Sequence, residues 1–352
     1  MRVVIVGATG NVGTSVIRSL ENESKVESIL GVARRLPGLQ PRKTEWAAAD
    51  VTKDDLVPLF RGADAVVLLA WLIQPSRDLN KLWMVNVEGT MRAARAAKEA
   101  RVGAILYASS VGTYSPGPKD RRVDESWRTG GVPSSYYGRH KAEVERRLDR
   151  FVSENPDVRV VRMRQALTFK PEAAEGIRRL FAGPFLPSPL VRPAFIYAIP
   201  DIPGLRGQVV HSHDVGEAYR LALLNGETRG AYNLATEPVV DPEEVGRILN
   251  ARTIPLPAQL ARTGAGLAWS MRLTPVSPGW LDLALNIPLM DTTRARQELG
   301  WTPRHDAGET LIDTLEGLRT GAGLDTPPLS PKTSGPFRIR ELLTGVGGRE
   351  PS

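Results

Sequence analysis

Near its start the chain runs four apolar residues, Val3 to Val6, straight into Gly7-Ala8-Thr9-Gly10-Asn11-Val12-Gly13. A buried strand that ends in G-x-x-G-x-x-G and continues as a helix admits few architectures. Glycine lets the backbone turn sharply and lets an anion approach it closely. The helix that follows directs its free N–H groups at that anion. A plain strand-to-helix turn would use glycine in the same way. The spacing is not the G-x-G-x-x-G of ordinary dinucleotide folds, and the Gly-Lys-Ser/Thr ending of a nucleoside-triphosphate loop is missing. Its place behind an apolar strand favours a cradle for the phosphates of a dinucleotide, with Thr9, Asn11 and Val12 lining it beside Gly7, Gly10 and Gly13.

The rest of the first 170 residues alternates strand and helix. Strands are expected at Ile29 to Ala33, Trp46 to Ala49, Ala65 to Ala70, Ala104 to Ala108 and Val158 to Met163. Helices are expected through Leu20, at Asp54 to Phe60, Leu79 to Ala100 and Tyr136 to Ser153. Continuous apolar strands between helices predict a parallel sheet covered on both faces. After Phe169 the pattern changes. Residues 180–205 and 254–290 mix apolar residues, breakers and Trp269 and Trp280, and read as a cap over a substrate. Gln208 to His211 reads as another strand and Asp214 to Asn225 as a helix. We divide the chain into a dinucleotide-binding domain over 1–169, to which 207–237 returns, a substrate-binding subdomain over 170–206 and 238–320, and an extended or partly disordered tail over 321–352.

The second strand ends Val32-Ala33-Arg34-Arg35. A carboxylate there would accept from a bare ribose hydroxyl. Two guanidiniums instead attract a 2′-phosphate, which favours NADP(H), with NAD as the alternative. Solvated surface arginines would look the same.

Tyr137 and Lys141 are four apart on an expected helix and share a face. A neighbouring ammonium stabilises a phenolate, so the pair predicts a tyrosine of lowered pKa that exchanges a proton with a carbonyl or alcohol while hydride moves at a nicotinamide. Ser109-Ser110 stands at the end of the fifth strand, the edge where parallel sheets bind ligands. Asn86 sits inside a helix, where asparagine is disfavoured. His211 and His213 face the same side, but no carboxylate or third histidine stands at helpful spacing, so no metal is expected.

Taken together these motifs resemble the extended short-chain dehydrogenase/reductase family, in its NAD(P)-dependent epimerase/dehydratase branch, over about the first 240 residues and again over Asp291 to Pro303. Gly7, Gly10 and Gly13 match its cofactor turn, Asp50-Val51 its adenine-contacting pair, and Leu69-Ala70 the small segment lining the cofactor. Asn86 matches its structural asparagine, Ser110 its catalytic serine, and Tyr137-Gly138-Arg139-His140-Lys141 its Tyr-x-x-x-Lys pair. The resemblance implies a Rossmann-type doubly wound parallel sheet with a smaller C-terminal substrate-binding subdomain. It implies Tyr137 as acid/base, Lys141 as the group that lowers its pKa and holds the nicotinamide ribose, and Ser110 as the group orienting the substrate oxygen. Three departures stand out. Ser110-Val111-Gly112 replaces the Thr-Asp-Glu of sugar dehydratases. Gln208 stands near where an arginine grips a nucleotide sugar's diphosphate, with Arg206 close by. Phe169-Lys170-Pro171 replaces a Tyr-Gly-Pro turn.

The expected activity is NADP(H)-dependent hydride transfer between nicotinamide and a carbonyl or secondary alcohol of a small organic molecule. The alternatives are a nucleotide-sugar epimerase with tightly bound NAD(P), and a non-catalytic NAD(P)-binding regulator. The chain carries a formal charge of +7 and no cysteine. Its arginines are scattered rather than clustered, so cofactor phosphates suffice as anionic partners and no nucleic acid is expected. No apolar run is long enough to span a bilayer and none reads as a secretory signal, so a cytoplasmic protein, with a possible homodimer, is expected.

Overall fold

Along the first strand Val3 and Ile5 enter one core, with Val16, Ile17, Val215 and Ala218, while Val4 and Val6 enter a second, with Ala93, Ala94, Val144 and Leu148. A strand's side chains alternate, so an uninterrupted apolar strand must be covered on both sides. The computed structural model, which describes residues 1–183 and 196–331 together with 343, 344, 346 and 348, meets that requirement with helices on both faces.

The sheet contains β1 (Arg2–Val6), β2 (Ser28–Ala33), β3 (Thr44–Ala48), β4 (Ala65–Leu68), β5 (Ala104–Ser110), β6 (Arg159–Gln165) and β7 (Gly230–Leu234). Their order is β3-β2-β1-β4-β5-β6-β7 and every pairing is parallel. The chain turns outward in opposite directions from β1, so a crevice opens between the carboxyl ends of β1 and β4. This is a Rossmann-type sheet with a smaller C-terminal subdomain. The helices that matter below are α1 (Asn11–Leu20), α2 (Leu79–Trp83), α3 (Thr90–Glu99), α4 (Tyr136–Glu154), α5 (Ala174–Phe181), α6 (Ser212–Leu224) and α7 (Gly279–Asn286).

Three sequence expectations change in detail. The fourth strand stops at Leu68, before Leu69 and Ala70, because Gly7 packs there: a Cβ on Gly7 would lie 2.6 Å from the Ala70 nitrogen. The long helix expected from Leu79 to Ala100 is α2 and α3 joined by a π-helical turn, Met84–Gly89. The expected strand Gln208 to His211 is Val209–His211, which pairs with Leu167–Phe169 outside the main sheet. The chain returns to that sheet through β7 instead, a strand the sequence reading leaves out.

The smaller region adds the parallel pair Ala198–Asp201 and Arg252–Pro255, the helix Ala258–Ser270 and α7. Part of the expected cap, 184–195, and most of the expected tail, including 332–342, lie outside the described residues. The beginning of that tail is packed rather than extended. Gly38 N–H donates to the Asp325 carbonyl at 3.0 Å, and Leu329 is buried. Among the described residues no helix is long and apolar enough to cross a membrane.

Candidate active site

The glycine turn is built for an approaching anion. Gly10 caps α1 without a side-chain hydrogen bond, and the first turn of α1 holds no acidic residue. Its leading N–H groups and the positive end of its dipole are therefore free for a ligand. A Cβ on Gly13 would fall 2.5 Å from the Gly7 carbonyl oxygen, so Gly13 is glycine for the protein's own packing. A Cβ on Gly10 would meet only the Gly7 oxygen, at 3.4 Å. Among the described residues nothing demands glycine at 10, and its backbone is left open to an approaching phosphate. The Asn11 Oδ1 atom is buried without a partner while its Nδ2 donates to the Thr168 carbonyl at 2.9 Å. The residues present thus fit a dinucleotide diphosphate. A cation the sequence reading treats only as a departure also stands here. The buried Lys170 ammonium donates to Thr14 Oγ1 (2.6 Å), the Asn11 carbonyl (3.0 Å) and Ser15 Oγ (3.1 Å), with no carboxylate in contact among the described residues. Burial pushes it down to about 8.

At the far side of the crevice the carboxyl end of β5 meets α4. The two serines of β5 diverge, as successive strand residues must. Ser109 Oγ donates to Glu145 at 2.5 Å, behind the site. Ser110 lies within hydrogen-bonding reach of the Tyr137 phenol. Ser135 caps α4 by accepting from Gly138 N, which fixes the helix start just ahead of Tyr137. Gly112 lies so close that a Cβ there would be 2.8 Å from the Tyr137 ring.

Lys141 is buried on the same face, its ammonium 5.9 Å from the centre of the Tyr137 ring. It donates to the Ala108 carbonyl at 2.6 Å and stands 3.5 Å from the centre of the Trp71 ring. Burial holds it well below the usual lysine range, against the pull of Glu145. The Tyr137 phenol is pushed up to about 12 by burial, partly offset by the Ser110 hydroxyl. The expectation of a phenol drawn below its ordinary value by the neighbouring ammonium is therefore corrected: desolvation decides the direction.

Asn86 reaches neither side chain. It is fully buried in the π-helical turn, where its Oδ1 accepts from Leu72 N and its Nδ2 donates to the Leu72 carbonyl, each at 2.7 Å. It clamps the segment that follows Leu69, Ala70 and Trp71. The sequence reading misses Trp71 and places Trp280 only in the cap over a substrate. Trp280 from α7 leans over Tyr137 with ring centres 5.0 Å apart, Phe181 of α5 stands 5.1 Å from Trp280, and Trp71 meets Tyr137 edge-on at 5.8 Å. The available signal was a tryptophan placed directly after the small pair Leu69-Ala70.

Of the nucleotide-binding candidates at the other end, Asp50 and Val51 follow β3. Burial raises the Asp50 carboxyl, but the Thr52 N–H and hydroxyl donors (2.9 and 2.7 Å), with Arg34 and Lys53, hold it below its usual range. Arg34 and Arg35 are exposed.

The histidines gather as the sequence reading does not foresee. His305 stacks on His211 at 3.9 Å, and His213 lies 4.7 Å away. One ring nitrogen of each is engaged by the protein. His211 Nδ1 accepts from His213 N, His213 Nε2 faces Arg18 Nη1 at 3.0 Å, and His305 Nδ1 faces Asp214 Oδ2 at 3.0 Å. Among the described residues no group of three or more potential ligands is arranged for a metal ion.

Residues 3–183 match the model of the NAD dependent epimerase/dehydratase family. The Mycobacterium tuberculosis (strain ATCC 25618 / H37Rv) protein named Uncharacterized protein Rv2047c is 26% identical over 326 residues, covering 92% of this chain and 31% of its own. The chain thus spans about a third of the length of that relative. The structure of MoeE5 in complex with UDP-glucose and NAD is similar with a TM-score of 0.68 at 22% identity, over 91% of this chain and 99% of that one. The UDP-glucuronic acid 4-epimerase from Bacillus cereus in complex with NAD gives 0.67 at 16% identity over the same shares, 91% and 99%. Both neighbours hold NAD rather than NADP, and this overturns the NADP(H) expectation drawn from Arg34 and Arg35. The physical reason is local: both guanidiniums are exposed rather than buried, and Arg34 already acts electrostatically on the Asp50 carboxyl.

Proposed function

Because the chain belongs to the NAD dependent epimerase/dehydratase family, we propose that it is an NAD-dependent oxidoreductase/epimerase acting on a nucleotide sugar, with Tyr137 as the proton-exchange group. One observation carries the reading. Tyr137, Ser110 and Lys141 converge at the carboxyl end of β5, on the same edge of the parallel sheet as the uncapped N-terminus of α1 and the open flank of Gly10. The diphosphate of NAD would lie on the turn from Gly7 to Gly13 with Thr9, Asn11 and Val12, the adenine against Asp50 and Val51, and the nicotinamide side along Leu69, Ala70 and Lys141. Bound NAD supplies the hydride acceptor and donor.

The protein's own groups handle the proton. Burial favours the protonated phenol, the form that donates from Tyr137 Oη to a carbonyl oxygen. Ser110 Oγ orients that oxygen. In the opposite direction Tyr137 must accept a proton, and the Lys141 ammonium is the charge that stabilises the phenolate. Asn86 acts through Leu72 and not on the substrate. The nucleotide-sugar class is supported by the ligands of MoeE5 and the Bacillus cereus epimerase. Gln208 cannot grip their kind of diphosphate, since it is buried and spends its amide on Met290 N and the Met290 carbonyl. Arg206 is the better candidate: its Nε is buried without a partner and its nearest carboxylate, Asp241, is 3.9 Å away.

A second reading, net redox of a small ketone or alcohol, is favoured by the aromatic wall of Trp71, Trp280 and Phe181 around Tyr137. One set of assays tests both. The purified protein is scanned for co-purified dinucleotide, then given NAD with UDP-glucose or UDP-glucuronate. Sugar interconversion without net NADH is expected for the first reading, and steady NADH accumulation with simple alcohols for the second. Tyr137→Phe should lower either rate by a factor on the order of 10² or more with NAD affinity little changed; a wild-type rate in that variant removes Tyr137 from the mechanism.

A further inference from the structure

The Lys141 ammonium is almost completely buried and, among the described residues, has no carboxylate in contact. It donates to the Ala108 carbonyl at 2.6 Å, with the Tyr107 hydroxyl at 3.5 Å. Glu145, one turn along α4, is the nearest carboxylate, but Arg164 holds both its oxygens at 2.9 and 2.6 Å, Ser109 donates to one, and Arg162 stands at 3.6 Å. The remaining face of the ammonium is covered by the Trp71 indole, 3.5 Å from nitrogen to ring centre. That is close range for a cation over a tryptophan face, the strongest aromatic partner a cation finds, and such contacts strengthen when water is excluded.

The indole is held where it is. Asn86 takes both backbone groups of Leu72, the Tyr136 hydroxyl donates to the Ile73 carbonyl at 2.8 Å, and Gln74 Nε2 donates to the Leu180 carbonyl at 2.7 Å. Three successive residues after Trp71 are thus pinned from three different elements. The Trp71 Nε1 is buried without an acceptor, so no hydrogen bond accounts for its placement.

We propose that Trp71 is a positioning residue whose ring face keeps the Lys141 ammonium charged and aimed beside Tyr137, and that Asn86 reaches the site through this indole. The proposal rests on the reading of Lys141 as the charge that tunes Tyr137. It gives an asparagine that touches no reacting atom a route to the chemistry: Asn86 fixes Leu72, Leu72 fixes Trp71, and Trp71 fixes the charge on Lys141. The groups facing that charge are Tyr107 from β5, Tyr137 and Glu145 from α4, and Arg162 and Arg164 of β6 through Glu145.

The test needs neither cofactor nor substrate. The full chain is labelled with ¹³Cε-lysine, its lysine resonances are followed against pH by NMR, and Lys141 is assigned by its loss in Lys141→Arg. In Trp71→Leu the Lys141 midpoint should fall by about one pH unit or more, and in Trp71→Phe by less, since phenylalanine keeps a weaker ring face. Fluorinated tryptophan, incorporated at every tryptophan, preserves shape while draining the ring; it should lower the midpoint in step with the number of fluorines, even if Trp71→Leu fails to fold. An unchanged midpoint with fluorinated tryptophan, or equal shifts in the Leu and Phe variants, overturns the proposal and makes Trp71 a packing residue. Failure here leaves the proposed reaction intact, and failure of Tyr137→Phe to lose activity leaves this titration valid.

Discussion

Glycines 7, 10 and 13 are alike in sequence and unlike in cause. Gly7 has φ +88° and abuts Ala70, and Gly13 abuts the Gly7 and Ala8 carbonyls at 2.5 and 2.6 Å from an added Cβ, whereas Gly10 has only one marginal neighbour. Gly13→Ala should therefore destabilise the fold by about 1–3 kcal/mol through overpacking. Gly10→Ala should leave thermal unfolding nearly unchanged and weaken NAD binding by about tenfold or more, because the methyl group occupies the approach to the backbone. Calorimetric titration with NAD beside melting curves separates the two, and a Gly10→Ala protein that binds NAD normally would remove the turn from the cofactor site. The turn was legible because its residues are adjacent in sequence. Gly112 against the Tyr137 ring and Trp71 over Lys141 were not, because the partners are 25 and 70 residues apart and meet only once β4, β5 and α4 are assembled. Arg34 and Arg35 show the opposite hazard: a sequence records that a cation is present and not that Asp50 faces it.

The link between β4 and α3 shows how a helix defect serves a site. A regular helix from Leu79 to Glu99 would have no use for asparagine in its middle. The π-helical turn over Met84–Gly89 presents Asn86 inward, where it satisfies a buried N–H and a buried carbonyl of an irregular segment that no strand pairs. Asn86→Ala should cost about 2–4 kcal/mol in urea unfolding, since it strands two buried backbone groups. A loss below about 1 kcal/mol for Asn86→Ala would mean that the clamp is dispensable. The parallel core strands and main helices were readable from apolar periodicity, and the Tyr137–Lys141 face from a spacing of four. β7 was not: Gly230-Ala-Tyr-Asn-Leu carries no apolar run, and its register comes from β6 alongside it. The π-turn leaves no periodic trace, only an asparagine out of place.

At the scale of the molecule, the C-terminal segments are tied to the nucleotide-binding sheet by buried polar contacts that carry a pH dependence. The Trp301 indole donates to the Asp214 carbonyl at 2.8 Å, and His305 meets the Asp214 carboxylate with both its backbone N–H and its ring. His305 also stacks on His211, which with His213 starts α6. Burial first, then His305, pushes His211 down to about 4; burial first, then Arg18, pushes His213 down to about 3. An unfolded histidine titrates near 6.5. Between about pH 6.5 and 4 the unfolded chain therefore binds protons that folded His211 and His213 refuse, so their contribution to folding stability is fully present above 6.5 and falls as pH drops through that window. Melting temperatures at pH 7 and 4.5 should differ clearly in the wild type. His211→Asn keeps an oxygen able to accept from His213 N at the start of α6 and removes one of the depressed imidazoles, so its difference should be visibly smaller. An undiminished difference in that variant would place the acid sensitivity in the carboxylates, such as Glu145 held below its usual range by Arg164 against its burial, and not in the cluster that joins the segment around His305 to the start of α6.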